Sequence, residues 1–128
     1  MAALSNFAEN EMLDHMLGTG AYTAPSNVFM SLWTSDPTDA GSGNELSGSG
    51  YARQDINFSA SSSGSAVSTG VVTFPTATGS WGTVTHMGIH DAVSSGNLLF
   101  HGPLTASKAI GAGDVVRGAD TGISITAA

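Results

Sequence analysis

Short blocks of apolar and β-branched residues follow one another along the chain from residue 27 onwards, separated by glycine, serine, proline and asparagine. Blocks of this kind are typical of strands, because alternate side chains face opposite sides of a sheet and turn residues interrupt the run. The pattern predicts strands at residues 27–34, 51–58, 67–74, 83–89, 97–100, 115–117 and 123–126. It therefore predicts a mainly β fold, an antiparallel β-sandwich or barrel of about six to eight strands with one N-terminal helix.

A helical period is found only at residues 4–17. Ser5 or Asn6 is a suitable N-cap, and Gly18 occupies the position where a glycine often ends a helix. An apolar stripe follows the three-to-four-residue spacing of a helix; it consists of Leu4, Phe7, Ala8, Met12, Met16 and Leu17. We expect residues 1–20 to form a helical docking arm and residues 21–128 to form a single β domain. The stripe could pack on this domain or on a neighbouring subunit.

The composition excludes several classes of function. The 128 residues contain 3 Lys and Arg against 10 Asp and Glu, which gives a formal net charge of −7. Three basic side chains are too few to neutralise a phosphate backbone. Direct binding to nucleic acid is therefore not expected. Cysteine is absent, which excludes disulfides and thiolate metal sites. The chain has no apolar run that could cross a membrane and no secretory signal pattern.

Two groups of residues could bind a metal. His86 and His90 would lie on one face of a strand, with Asp91 at the following turn and His101 on the partner strand. A second group could chelate Ca²⁺ from the glycine-rich loop 35–50; it consists of Asp36, Asp39, Asn44 and Glu45. Neither group has a recognised ligand spacing. We therefore predict no metal and no cofactor, and interpret these side chains as ordinary hydrogen-bonding and solvated groups.

Enzymatic activity is not predicted either. The chain lacks the serine nucleophile elbow, the phosphate-binding loop, the dinucleotide fingerprint and the HExxH motif. Trp33, Tyr51 and Trp81 could form an aromatic platform for a sugar, although packing in the core is the more usual role of such rings.

Several stretches resemble a family of small structural proteins of tailed bacteriophages, labelled tail fibre, minor tail or head-decoration proteins. They are GYARQ at 50–54, VVTFPTATGSWGTVTHMGIHDA at 71–92 and GNLLFHGPL at 96–104. The helix followed by AYTAPSNVFMSLWTSDPT, and GD at 113–114, extend the resemblance over most of the chain. A shorter form of the central stretch resembles a module in the virion-attaching parts of tail fibres. His90 departs from the family pattern, which tends to have an apolar or aromatic residue there.

The resemblance implies a non-enzymatic virion protein made in the host cytoplasm. We expect a capsid decoration protein on the capsid surface that docks as a homo-oligomer, with a trimer favoured, against the major capsid protein. A tail or neck fibre component is the alternative, and a carbohydrate-binding module is a further one. The contacts expected from the helix and loop 35–50 are Leu4, Phe7, Met12, Met16, Asp36, Asp39 and Glu45.

Overall fold

A computed structural model describes residues 3–119 and 122–126. The two predicted segments, residues 1–20 and 21–128, also include residues 1–2, 120–121 and 127–128, which lie outside this description. The elements in chain order are β1 Ala3–Leu4, α1 Asn6–Met16, β2 Val28–Trp33, β3 Gln54–Phe58, β4 Ser65–Thr69, β5 Val72–Thr73, β6 Gly82–His90, β7 Leu98–Ile110, β8 Arg117–Gly118 and β9 Ser124–Thr126.

The strands form one large and one small sheet. The large sheet has seven strands in the order β1-β7-β6-β2-β3-β4-β9, and the small sheet consists of β5 and β8. All paired neighbours are antiparallel. The predicted fold class, a mainly β antiparallel architecture with one N-terminal helix, is confirmed by this nearly closed sheet.

The main core lies on one face of the large sheet. Met30 and Leu32 of β2 and Met87 and Ile89 of β6 alternate towards this face and are buried. The small sheet and the segment that links β5 to β6 pack over them. The buried core consists of Met30, Leu32, Ile56, Val72, Phe74, Ala77, Trp81, Val84, Met87, Ile89 and Ile110.

The N-terminal segment differs from the prediction at its start. Ser5 is the N-cap, since its Oγ accepts the N–H of Ala8 at 3.1 Å, and Gly18 follows the C-cap with a φ of +77°. Leu4, however, belongs to β1 and pairs with Phe100, so the helix does not include it. Ser5 is also buried and donates its hydroxyl to the Leu98 carbonyl. The chain therefore joins the sheet before the helix begins.

The predicted strand at residues 67–74 is wrong as a single element. It is divided into β4 and β5, which belong to different sheets. Gly70 lies between them with a φ of +79°, a conformation that residues other than glycine rarely adopt. The backbone turns at this point, so one apolar run contributes to both layers of the fold.

The predicted strand at residues 97–100 is too short, because β7 continues to Ile110. The residues of its second half, Thr105–Ala109, are small, polar or charged and are exposed. Such a segment has no apolar alternation by which sequence could identify it. Only its end is paired with β6, where Lys108 lies opposite Val84 and Ala109 lies opposite Thr83.

Candidate functional site

The second face of the large sheet carries a buried cluster of polar side chains. Ser31 on β2 lies opposite Gly88 on β6, and Trp33 lies opposite His86. The Trp33 indole Nε1–H donates to Ser31 Oγ at 2.8 Å, and His90 Nε2 lies 2.9 Å from the same oxygen. The rings of Trp33 and His90 stack with centroids 6.1 Å apart and an interplanar angle of 3°. This second face is therefore buried too.

Gly88 leaves the space that this cluster occupies. A Cβ at this position would lie 2.8 Å from Ser31 Oγ, 2.8 Å from Leu98 Cδ1 and 3.0 Å from the Trp33 indole nitrogen. The two distances of 2.8 Å are shorter than real Cβ contacts allow, and the third is tighter than most of them. The glycine within the predicted strand therefore marks the close approach of neighbouring side chains.

His90 is neutral at ordinary pH, and the hydrogen bonds indicate its tautomer. Because Trp33 can only donate, Ser31 Oγ accepts from it and is free to donate its own proton to His90 Nε2. The proton on the imidazole then lies on Nδ1, which is buried and has no protein partner among the described residues. Burial, assisted by the nearby Arg53 charge, lowers the pKa of His90 to about 4.

Arg53 joins three separate segments beside this cluster. Its Nε donates to Glu45 Oε2 at 2.8 Å, and its Nη2 donates to Glu45 Oε1 at 2.7 Å. Its Nη1 donates to the carbonyls of Ala92 and Ser95, at 3.0 and 2.8 Å. Arg53 therefore connects loop 35–50 to the turn between β6 and β7.

Tyr51 completes the Arg53 network. Its hydroxyl donates to Glu45 Oε2 at 2.8 Å and accepts the N–H of Leu32 at 3.1 Å. Burial alone would raise the pKa of Glu45, but the hydrogen bonds from Arg53 and Tyr51 outweigh it and lower this pKa. Burial is also the main reason that the pKa of Tyr51 is raised. Glu45 is thus held as a carboxylate inside the structure.

An open cleft of about 580 Å³ lies above the buried cluster. The start of α1, loop 35–50 and the β6–β7 turn surround it, and Trp33 and His90 contribute to its lining. Glu45, Arg53 and Asp39 supply most of its charge, but Glu45 and Arg53 are already paired with each other. The arrangement is one of internal hydrogen bonds and ion pairs.

The four residues of the predicted histidine cluster are not brought together as a metal site. His86 lies opposite Pro103 and its Nδ1 is 2.8 Å from Thr85 Oγ1, whereas His101 lies opposite Gly88. Asp91 Oδ1 instead accepts the N–H of Asn97 at 2.7 Å and closes the β6–β7 turn. Within residues 3–119 and 122–126, no group of three potential ligands is close enough to hold a metal ion.

His101 instead contacts the acidic loop. Its Nε2 is 2.8 Å from Asp39 Oδ1, and its Nδ1 is 3.8 Å from Asp36 Oδ1. Asp36 Oδ1 also accepts the N–H of Thr38 at 2.9 Å. Loop 35–50 is thereby attached to β7, with both carboxylates on the outside of the protein.

The aromatic residues considered as a sugar platform do not form one. Trp33 is 4% exposed and Trp81 is 5% exposed. Tyr51 packs edge-to-face against Trp81, with ring centroids 5.6 Å apart, and its hydroxyl is engaged by Glu45. These rings pack inside the protein, and neither tryptophan presents a free face to solvent.

Three of the predicted contact residues, Leu4, Met12 and Met16, line an apolar groove between α1 and β7, with a volume of about 230 Å³. Leu4 and Met12 are half-buried in it, together with Leu99 and Phe100 of β7. Phe7 lies to one side, against Tyr22, with ring centroids 6.5 Å apart. Met16 and Leu17 are each 73% exposed. Part of the predicted stripe is thus packed on β7, and its C-terminal end is open to solvent.

The seven predicted contact residues are distributed over three places. Leu4, Met12 and Met16 share the helix groove, while Asp36 and Asp39 lie at His101. Phe7 and Glu45 both line the polar cleft. Their contact with a partner stays a prediction.

Sequence reasoning missed the role of Arg53 and Ser31. Charged residues make up only 10% of the chain, so an arginine inside the predicted strand 51–58 was an available signal for a buried ion pair. For Ser31 the signal was its place within an apolar run, since a buried hydroxyl requires a hydrogen-bond partner.

The described residues therefore form a β-rich domain whose buried polar groups mostly pair with one another and whose helix exposes apolar side chains. Within these residues, no helix is long and apolar enough to span a bilayer. A family model described as Podophage GP4 fiber I protein gp80 matches residues 3–126. The chain belongs to this family and is a structural protein of a bacteriophage virion, which confirms the resemblance found in the sequence. No curated protein matched the chain.

Proposed function

We propose that this protein is a non-enzymatic component of a virion fibre that attaches to a neighbouring virion protein through α1. The fibre role rests on the description of its family. In this proposal the β domain is a rigid support, and residues 1–20 are the docking arm. The competing role is capsid decoration. Locating the protein on virions distinguishes the two roles.

The observation that carries the docking proposal is the exposed end of α1. Leu13, Met16 and Leu17 are 55–73% exposed. Met16 also lines the apolar groove that continues to Leu99 and Phe100. Exposed apolar side chains that continue into a groove are typical of a surface covered by another protein.

Met16→Lys/Leu17→Lys should leave the domain folded and reduce its incorporation into particles about tenfold or more. Both side chains are exposed, so the β core does not depend on them, whereas two buried charges would oppose an apolar interface. Incorporation is measured by quantifying this protein in purified virions after the variant gene replaces the original. The control is Thr69→Lys/Val71→Lys, which changes the charge equally at two exposed positions of the β4–β5 region. Unchanged incorporation of the helix variant would show that α1 is not the attachment surface.

Cryo-electron microscopy of virions, with an epitope tag after Ala128, should place this protein in a fibre. Tag density at fibres that project from the particle is the expected result. Density distributed over the capsid lattice would instead establish the decoration role. The tag's effect on assembly is checked by comparing the infectivity of tagged and untagged particles.

A further inference from the structure

A third cavity, of about 450 Å³, opens at the edge of the main core. It lies between β7 on one side and β8 with Ile123 on the other. Its inner wall includes Met30, Leu32 and Met87, which belong to the buried core. The cavity therefore extends from the surface down to the apolar interior.

Beside this cavity, the register between β7 and β6 changes. Val84 pairs with Lys108 and His86 pairs with Pro103, so four residues of β7, 104–107, lie opposite the single residue Thr85. This bulge and Pro103 disfavour the addition of a further strand at the edge. The cavity mouth is thus better suited to a small molecule than to an extended polypeptide.

Two basic side chains flank the mouth. Lys108 pairs with the core residue Val84, and directly paired residues point to the same face of a sheet, so Lys108 lies on the core side of β7. Arg117 lines the cavity from β8. Among the described residues, no acidic side chain lies within 4 Å of either one, whereas the remaining cation, Arg53, is paired with Glu45. The chain has a net charge of −7, yet Lys108 and Arg117, which form no ion pair with any described residue, both line this apolar cavity.

We propose that this cavity binds a long-chain carboxylate. The alkyl chain packs against the apolar wall, where the flexible side chains of Met30 and Met87 adapt to its shape. The carboxylate lies at the mouth, between Lys108 and Arg117. The volume falls in the range of about 300–1,000 Å³ that small-molecule sites occupy, and a largely apolar lining with a few convergent polar groups is their usual character. This binding activity is independent of the docking through α1.

The direct test is calorimetric titration of the full-length protein with dodecanoate below its micellar concentration. We expect saturable binding with one dodecanoate per chain and a rise in the melting temperature with ligand concentration. Dodecyltrimethylammonium has the same alkyl chain with the opposite charge, and we expect it not to saturate the site. Equal binding of the two amphiphiles, or no binding of dodecanoate, would overturn the proposal.

A cavity-filling variant tests the location. A Cβ at Gly118 would lie 3.5 Å from Val72 Cβ and 3.8 Å from Met30 Sδ, which are ordinary contacts, so Gly118→Leu can extend into the cavity. We expect this variant to stay folded by circular dichroism and to lose dodecanoate binding. Undiminished binding by the folded variant would place the ligand elsewhere.

Charge variants test the recognition of the carboxylate even if Gly118→Leu does not fold. Lys108→Gln and Arg117→Gln should each weaken dodecanoate binding by roughly two- to five-fold, the range for partly exposed ion pairs. Thr23→Glu makes the same change in net charge at an exposed residue outside the cavity lining, and should bind dodecanoate like the original protein. An equal loss of dodecanoate affinity in all three variants would mean that only the net charge of the protein matters. Unchanged affinity in all three would show that neither Lys108 nor Arg117 binds the carboxylate.

Discussion

Replacing Arg53 by methionine is expected to lower the free energy of unfolding by about 3 kcal/mol, the lower part of the range for breaking a buried ion pair. The substitution removes the partner of Glu45 and leaves the carbonyls of Ala92 and Ser95 without their donor. Glu45 would then be a partly buried carboxylate without its basic partner. Urea denaturation at neutral pH measures the change, with the slope of the transition used to check that the unfolding stays cooperative.

A double-mutant cycle separates the ion pair from the loss of packing. In Arg53→Met/Glu45→Gln the carboxylate is removed together with its partner, while the amide oxygen can still accept the Tyr51 hydroxyl. The double variant should therefore lose clearly less stability than the sum of the two single variants. Arg117→Met, at an exposed position, is the control and should stay within about 0.5 kcal/mol of the original protein. Additive losses, or a loss below about 1 kcal/mol in Arg53→Met, would contradict this account.

His90 should make the domain less stable as the pH falls from 7.5 to 4. Its pKa is about 4 in the folded protein and 6.5 in a free chain, mainly because of burial. Between these pH values the unfolded state binds the proton and the folded state does not. The contribution of neutral His90 to the free energy of unfolding is therefore fully present above pH 6.5 and is lost progressively on acidification. The difference between these two pKa values corresponds to a loss of about 3 kcal/mol by pH 4, of which about half has occurred at pH 5.5.

The contribution of His90 is isolated by comparison with His90→Phe. Phenylalanine keeps a ring beside Trp33 and cannot be protonated. Arg53 also lowers the pKa of His90, while Glu45 and Asp91 act in the opposite direction, so these groups stay unchanged in the comparison. Urea denaturation at pH 7.5, 5.5 and 4 should show a smaller loss for His90→Phe than for the original protein, by about 3 kcal/mol at pH 4. His15→Gln is the control for the loss of an exposed histidine. If the free energy of unfolding depended on pH equally in the original protein and in His90→Phe, His90 would be excluded as the cause of the acid destabilisation.

Both predictions concern groups whose environment could not be read from the sequence. Arg53 lies 39 and 42 residues from the carbonyls that it binds, and His90 lies 59 residues from Ser31. Hydrogen bonds over such separations depend on strand order and register, which local patterns do not contain. The exclusion of a sugar platform likewise required the burial of Trp33 and Trp81, since exposed and buried aromatic residues look alike in a sequence.

Local signals did determine the class of fold. The apolar and β-branched runs at residues 27–34 and 83–89, the Ser5 cap and Gly18 each have a short-range physical cause. The structure has strands at both runs, the cap at Ser5 and a left-handed backbone at Gly18. The resemblance in residues 71–104 likewise predicted the phage family that the family comparison confirmed. These conclusions follow from the sequence because side-chain alternation, capping and turn conformation involve only neighbouring residues.

The tertiary structure alone decided where the chain changes from one sheet to the other and how far each strand extends. Leu4 is a strand residue because β7 offers it a backbone partner, and β7 reaches Ile110 because its last three residues pair with β6. The burial of the second sheet face also follows from loop 35–50, which attaches to β7 through Asp39 and His101. A strand edge or a loop takes its position from partners distant in sequence. These features, and the three cavities beside them, therefore become definite only in the folded chain.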